Sequence, residues 1–321
     1  VPRRLSEELA VDRLARLEAE VEALRFEVQQ LRQQVEEVAD RTVGRHHPVE
    51  TLLAQRGMSV LAHGDRTRIL LPAGASSDQR RRFYDLMRRY SFRLFVRDLL
   101  QVPCGPDPGP LTRYCSPRTA RGYLNALHDL GVVERPHQNG YQLVLQHISS
   151  FGPTLEWYVS EILQREFLAP ALFSVRLKHT RHGGDFDVIA LLEADLVYFE
   201  VKSSPPRGVE LAAVSAFLER LEDLQPQLAI FLVDTELRMR DKIVELFREA
   251  LAQRCSPAGG ARWAVERLVD ELFHIGHGVY LINSRKGIFT NLRRCIRDFR
   301  RRGTRLRLPW KAQLSASDTH P

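Results

Sequence analysis

Three charged side chains stand where a folded chain rarely tolerates them. Asp187, Glu200 and Lys202 fall at the ends of two short apolar runs, 186–192 and 196–201, and burying such groups without a partner or a metal costs several kcal/mol, on the order of a whole domain's margin. Glu200 and Lys202 alternate about Val201, so on a strand they project from one face. A tight even-numbered turn at Glu193-Ala194 or Ala194-Asp195 brings Asp187 opposite Glu200 or Lys202 on that face, whereas an odd-numbered turn points it away. Two carboxylates within a few ångström repel each other, and a divalent cation relieves the repulsion while holding a phosphate oxygen. Mg2+ suits such a site, with Mn2+ as the alternative, because it prefers oxygen ligands and needs only one or two carboxylates beside water and phosphate. A neighbouring lysine can orient or deprotonate the attacking water and stabilise charge growing on the phosphate. These residue types point to metal-assisted phosphodiester hydrolysis.

The elements that must position these groups are written in the apolar periodicity. Thr154 to Gln164 reads as a helix with Leu155, Tyr158, Val159, Ile162 and Leu163 on its buried side. Ala171 to Lys178, Phe186 to Leu192 and Leu196 to Val201 read as successive strands, the last two apolar on both faces like central strands covered by helices. A helix Val209 to Leu221, a strand Leu228 to Val233, a helix Arg238 to Ala250 and a strand Val279 to Asn283 complete an α/β unit, a mixed sheet flanked by helices, over 149–303.

Upstream, 45–76 reads as a linker with a short helix and hairpin. Within 77–148, apolar stripes through Phe83, Leu86, Met87 and Tyr90 and through Phe92, Phe95, Val96 and Leu99 predict helices. Ser116 followed by Pro117 is an N-cap opening a further helix to Leu130, and two alternating runs around Asn139-Gly140 predict a hairpin. This order resembles a winged helix-turn-helix. The resemblance implies Arg118, Thr119, Arg121 and Asn125 in the major groove, and Arg135 and His137 at phosphate or minor groove. Protein contact is the competing use of such a module.

At the amino end, 1–44, Leu14, Val21, Val28 and Val35 alternate with Leu17, Leu24 and Leu31, a heptad seam running to Val38. In that register Arg13, Glu20 and Glu27 face Glu18, Arg25 and Arg32 of a parallel copy, so the economical reading is a parallel homodimeric coiled coil through Leu14 to Val38. A solitary helix packed on its own chain is the alternative. Gly44 and Pro48, around His46 and His47, mark a hinge, and 304–321 reads as a basic tail.

The chain has 321 residues and a formal charge of +7, which suits a polyanionic partner. Lys178 and Arg181 lie in the loop before Asp187, and Arg293, Arg294, Arg297, Arg300, Arg301, Arg302, Arg305 and Arg307 crowd the carboxyl-terminal helix and tail. They predict salt-sensitive, sequence-independent contact with nucleic acid, against the plainer reading of a solvated face. Cys104, Cys115, Cys255 and Cys295 form no CxxC pair, which argues against a zinc module or disulfide framework and for a reducing cytoplasm. No apolar run approaches the ~20 residues of a membrane span, so a soluble chain is expected.

Gly183-Gly184-Asp185-Phe186-Asp187-Val188 followed by Glu200-Val201-Lys202 resembles the signature of the PD-(D/E)XK, restriction-endonuclease-like nucleases. With Leu155-Glu156-Trp157-Tyr158-Val159 upstream, it is similar to the branch of Mrr-type restriction nucleases, archaeal Holliday-junction resolvases and CRISPR-associated ancillary DNases, active in defence and repair. The resemblance implies Asp187 and Glu200 as metal carboxylates, the Val201 carbonyl as a backbone ligand, Lys202 as the catalytic lysine and Glu156 as a helix-borne metal ligand. An ordinary solvated glutamate is the plain reading of Glu156, and Asp185 is expected exposed beside the site. The leading proline is missing, and no Gln or Lys follows Gly208 on the next helix, which some members use. The expected function is therefore an endonuclease, DNA favoured over RNA. Its rivals are a non-catalytic DNA-binding regulator and a subunit activated by a partner.

Overall fold

The computed structural model describes residues 47–136, 140–254 and 263–302. The chain divides into two units after His47, and the described residues, His47 apart, belong to the second. The expected seam from Leu14 to Val38 lies outside the described residues, as do His46, His137, Arg305 and Arg307.

One mixed sheet organises this unit. In spatial order its strands are β1 (Ser59–Ala62), β5 (Ala171–Lys178), β6 (Asp185–Leu192), β7 (Asp195–Lys202), β8 (Leu228–Val233), β11 (Val279–Ile282), β10 (Leu272–Ile275) and β9 (Val265–Val269). The trio β7, β8 and β11 is parallel, and every other neighbouring pair is antiparallel. Parallel pairing requires crossovers, and helices supply them. The strands β6, β7 and β8 are apolar on both faces because both faces are covered. On one face, Val188, Ala190, Val197, Phe199, Ile230 and Leu232 pack with α5 (Gly152–Glu166) and α8 (Ile288–Arg302). On the other, Ile189, Tyr198, Ala229 and Phe231 pack with α1 (Pro48–Gln55), α6 (Leu211–Leu224) and α7 (Glu245–Arg254).

Three departures from expectation are informative. Ser59–Ala62 does not fold back as a hairpin of its own; it pairs with β5, with Ser59 opposite Lys178, and forms the sheet's outer edge. Residues 265–275, unassigned in the sequence, form the hairpin β9-β10. Its turn carries Asp270 at φ +52 and lacks the Asn-Gly or Asp-Gly pair that announces such turns. The helix expected from Arg238 begins instead as a π-helical turn, Arg240–Val244, before α7.

Residues 77–143 supply α2 (Ser77–Met87), α3 (Tyr90–Gln101), α4 (Pro117–Asp129) and a small sheet ordered β2 (Cys104–Gly105), β4 (Tyr141–Leu143), β3 (Val133–Glu134). Ser76 closes a capping box with Gln79, and Ser116 accepts the Thr119 N–H at 3.2 Å, so both helix starts follow their local chemistry. Their apolar faces merge into the layer over α5: Phe83 meets Trp157 at 5.5 Å between ring centroids, and Tyr84 meets Tyr158 at 5.5 Å.

A buried charge joins this helical unit to the sheet. Asp234, directly after β8, is fully buried and accepts Arg93 Nε at 3.0 Å and Nη2 at 2.8 Å, Arg97 Nη2 at 2.9 Å and the Ser284 hydroxyl. Its own N–H donates to the Lys202 carbonyl at 2.8 Å. Burial alone would raise the Asp234 carboxyl, but the Arg93 and Arg97 guanidiniums outweigh it and hold it below the ordinary range. Because the folded value is depressed, this contribution is present at neutral pH and is lost as pH falls below the unfolded value near ~3.9 and through the folded one. Asp234→Ala leaves Arg93 buried and uncompensated, and urea unfolding at pH 7 is expected to show a loss of about 3–5 kcal/mol.

Candidate active site

The β6-β7 connection is a two-residue turn, Glu193-Ala194, with Leu192 paired to Asp195 and Glu193 at φ +59. The backbone ladder runs to Val188 opposite Phe199. One further step of the same register sets Asp187 across from Glu200, the even-numbered case. Instead of continuing the backbone ladder there, the Asp187 carboxylate accepts the Val201 N–H at 2.7 Å. Lys202 O is bonded on the β8 side, so by alternation both Val201 backbone groups face β6 and Asp187.

Ser174 on β5, at φ +46, falls opposite Asp187, and the β5-β6 ladder skips this pair. On either side of these two residues the buried faces exchange. Phe173 and Val188 belong to the α5 layer, but Val175 and Phe186 belong to the α6 layer. The local break opens the sheet edge. The Ser174 hydroxyl then reaches Glu156 on α5, bringing the helix glutamate to the same place.

Glu200 is 2% exposed and heavily paired. Lys202 Nζ donates to one oxygen at 2.7 Å; Arg220 of α6 donates to the other at 2.9 Å, with the Tyr198 hydroxyl beside it. Burial, then Glu200, then Glu156 push the Asp187 carboxyl well above the usual range, opposed by the Val201 N–H and Lys202. Glu156 is raised by burial, with the Ser174 hydrogen bond and Arg68 opposing. Three carboxylates thus interact electrostatically around one lysine. Ser174, Tyr198, Arg220 and Arg68 escaped the sequence reading. Tyr198 shares the alternation of Glu200 and Lys202, and Arg220 interrupts the apolar stripe of Phe217, Leu218 and Leu221; Arg68 has no local signal.

Asp187, Glu156 and Ser174 line an open cleft of about 390 Å³ with His63, Arg68 and Arg176 on its walls. Asp185 lies at its rim, exposed and paired with Arg176 at 3.1 Å. Lys178 and Arg181 are exposed nearby, and the loop carrying Arg181 is tied to α6 by its N–H on Asp223 at 3.1 Å. Arg118 and Arg121 are exposed on α4; Thr119 is partly buried and shares its hydroxyl with the Ser116 cap, and Arg135 pairs with Asn125. Arg293 and Arg297 are exposed on α8. The end of that helix meets the sheet through Arg300 and Glu193, at the opposite end of β6 and β7 from Asp187.

Among the described residues, no group of three or more His, Cys, Asp or Glu is arranged ready to hold a metal ion. The donor chemistry is that of a hard cation: the Glu200 charge raises the Asp187 carboxyl, so two oxygen donors lie close enough to repel, and magnesium commonly completes its shell with water. The described cysteines, Cys104, Cys115 and Cys295, are free thiols, and no described helix is long and apolar enough to cross a membrane.

No family model and no curated protein matches this sequence. Among solved structures, protein VC1899 from Vibrio cholerae is similar at TM-score 0.41 and 14% identity, over 60% of this chain and 53% of that one. Can2 from Sulfobacillus thermosulfidooxidans, solved in complex with cyclic tetra-adenylate, is similar at TM-score 0.42 and 12% identity, over 77% of this chain and 60% of that one. The chain therefore spans less than two thirds of either. Likeness at this level fixes neither family nor activity, which leaves the site's own geometry.

Carboxylate repulsion carries a stability consequence. Asp187→Asn keeps an acceptor for the Val201 N–H and removes one negative charge. In EDTA it is expected to raise the melting temperature by roughly 1–2 °C, the shift that about 1 kcal/mol brings in a chain of 321 residues. Calorimetry checks it: Mg2+ should stabilise the wild type further and leave the variant unchanged.

Proposed function

We propose that this chain is a metal-dependent endonuclease of the PD-(D/E)XK kind, hydrolysing phosphodiester bonds of nucleic acid, with DNA the favoured substrate. One observation supports the reading: just past the last ladder pair, Val188 opposite Phe199, the Asp187 carboxylate accepts the Val201 N–H at 2.7 Å, between Glu200 and Lys202, whose ammonium stands 2.7 Å from the Glu200 carboxylate. Asp187 and Glu200, helped by the Val201 carbonyl and Glu156, are the residues that would hold Mg2+ or Mn2+. Such an ion supplies polarisation of the scissile phosphate. Lys202 can orient the attacking water and stabilise charge on the phosphate, while Tyr198 and Arg220 hold Glu200 in place and Ser174 holds Glu156.

In this reading residues 77–148 form a winged helix that presents Arg118 and Arg121 to nucleic acid. The seam from Leu14 to Val38 pairs two copies in parallel, giving two sites for two strands. A second reading, a DNA-binding regulator or a subunit switched on by a partner, is favoured by one feature. Both oxygens of Glu200 are taken, one by Lys202 and the other by Arg220.

Purified protein incubated with plasmid, linear duplex and single-stranded substrates in Mg2+ or Mn2+ separates the two. Cleavage is expected to stop in EDTA and to fall at least ~100-fold in Lys202→Ala and in Asp187→Asn, the scale of one lost electrostatic contact. Equal degradation by wild type and variants would remove the assignment. Binding without cleavage under any metal would support the regulator.

A further inference from the structure

A second cavity, of about 510 Å³, lies beside the carboxyl end of β7, lined by Tyr114, Pro205, Pro206, Arg207, Leu237, Arg238 and Asp241. Pro205 is three residues beyond Lys202, so the chain between them spans at most ~11 Å. The lining is an apolar floor whose rim carries Arg207, Arg238 and Asp241, the last two paired at 3.9 Å. Leu237 is 60% exposed and Tyr114 43%, and the Arg113 guanidinium stands over the Tyr114 ring at 5.0 Å. Arg207 and Arg238 are exposed at the edges.

Exposure here does not reflect a loose loop. The Leu237 N–H donates to the Thr235 hydroxyl at 3.1 Å, and its carbonyl accepts Asn283 Nδ2 at 3.1 Å. The Met239 N–H donates to Glu271 at 2.8 Å, just ahead of the π-helical turn Arg240–Val244, a rare geometry that recurs at functional sites. Arg97 binds the Ser203 carbonyl on the other wall, and Pro205-Pro206 stiffens it. Tertiary bonds therefore hold an apolar side chain out in water, beside an unburied aromatic ring. An exposed aromatic ring, an apolar floor and flanking guanidiniums are what single-stranded nucleic acid needs, because every base offers a π-face and every linkage a negative charge.

We propose that this groove is a stacking subsite for an unpaired base of single-stranded nucleic acid. The base lies on Tyr114 against Pro205, Pro206 and Leu237, and Arg207 meets the neighbouring phosphate, with Arg238 joining it where phosphate displaces its pairing with Asp241. The proposal takes its setting, a strand running past Lys202, from the nuclease reading, but it concerns binding alone.

Fluorescence anisotropy of the full chain in EDTA tests it, with a labelled oligothymidylate and a duplex of equal length as probes. Tyr114→Ala is expected to weaken the single-strand complex about ten-fold, with Tyr114→Phe restoring it and the duplex affinity changing less than about two-fold. Leu237→Asp, on a side chain already in solvent, is a second variant with the same expected loss, and melting temperatures confirm that both fold. Unchanged single-strand affinity in both variants overturns the proposal and leaves a peptide or other apolar occupant; so does an equal loss for single strand and duplex. Failed cleavage with Tyr114-dependent binding intact removes the nuclease but leaves the groove, and the reverse outcome leaves only the nuclease.

Discussion

The buried carboxylate of Asp234 is the contact on which the rest of the arrangement depends. It is held by two guanidiniums from α3, by the Ser284 hydroxyl from the loop after β11, and through its own N–H by the carbonyl of Lys202. A charge so placed is tolerable only with every partner present. The helical unit, the end of β7 and the carboxyl-terminal segment are consequently locked to one point. The lock lies at the carboxyl ends of the parallel strands, where open α/β sheets leave room for ligands.

A second cluster of buried carboxylates is hydrogen-bonded and yet mutually repelled. Glu200 has cations on both oxygens, yet Asp187 and Glu156 are still pushed upward by burial and by one another. Structure that serves stability alone would replace or pair such groups. In the reading proposed above, a bound cation would relieve that repulsion. The break at Ser174 and Asp187 belongs to the same design, since it costs ladder hydrogen bonds and returns an open cleft at the sheet edge.

The segment before α2 shows how a connecting stretch becomes part of the working surface. Ile69, Leu70 and Leu71 enter the core, and the Leu70 N–H donates to Thr154 at the start of α5. Those anchors hold Arg68 on the wall of the acidic cleft. Basic residues on α8 are more remote from that cleft, because the helix end ties to the far turn of the sheet through Arg300.

Local pattern alone determined a good deal. The span of β5, Ala171 to Lys178, and of β8, Leu228 to Val233, follows from runs of apolar and β-branched residues, and the start of α4 from Ser116-Pro117. The shared face of Glu200 and Lys202 needs only the two-residue repeat of a strand. Other features were settled by tertiary structure. Ser59–Ala62 became an edge strand because β5 offered unpaired backbone groups, and no pattern within it names that partner. Arg220 and Arg68 reach the carboxylates across long sequence separations, and Arg93 pairs with Asp234 in the same way. Sequence periodicity reports which side of an element is apolar, whereas the meeting of distant charges depends on how the elements pack, and desolvation then decides what each charge is worth.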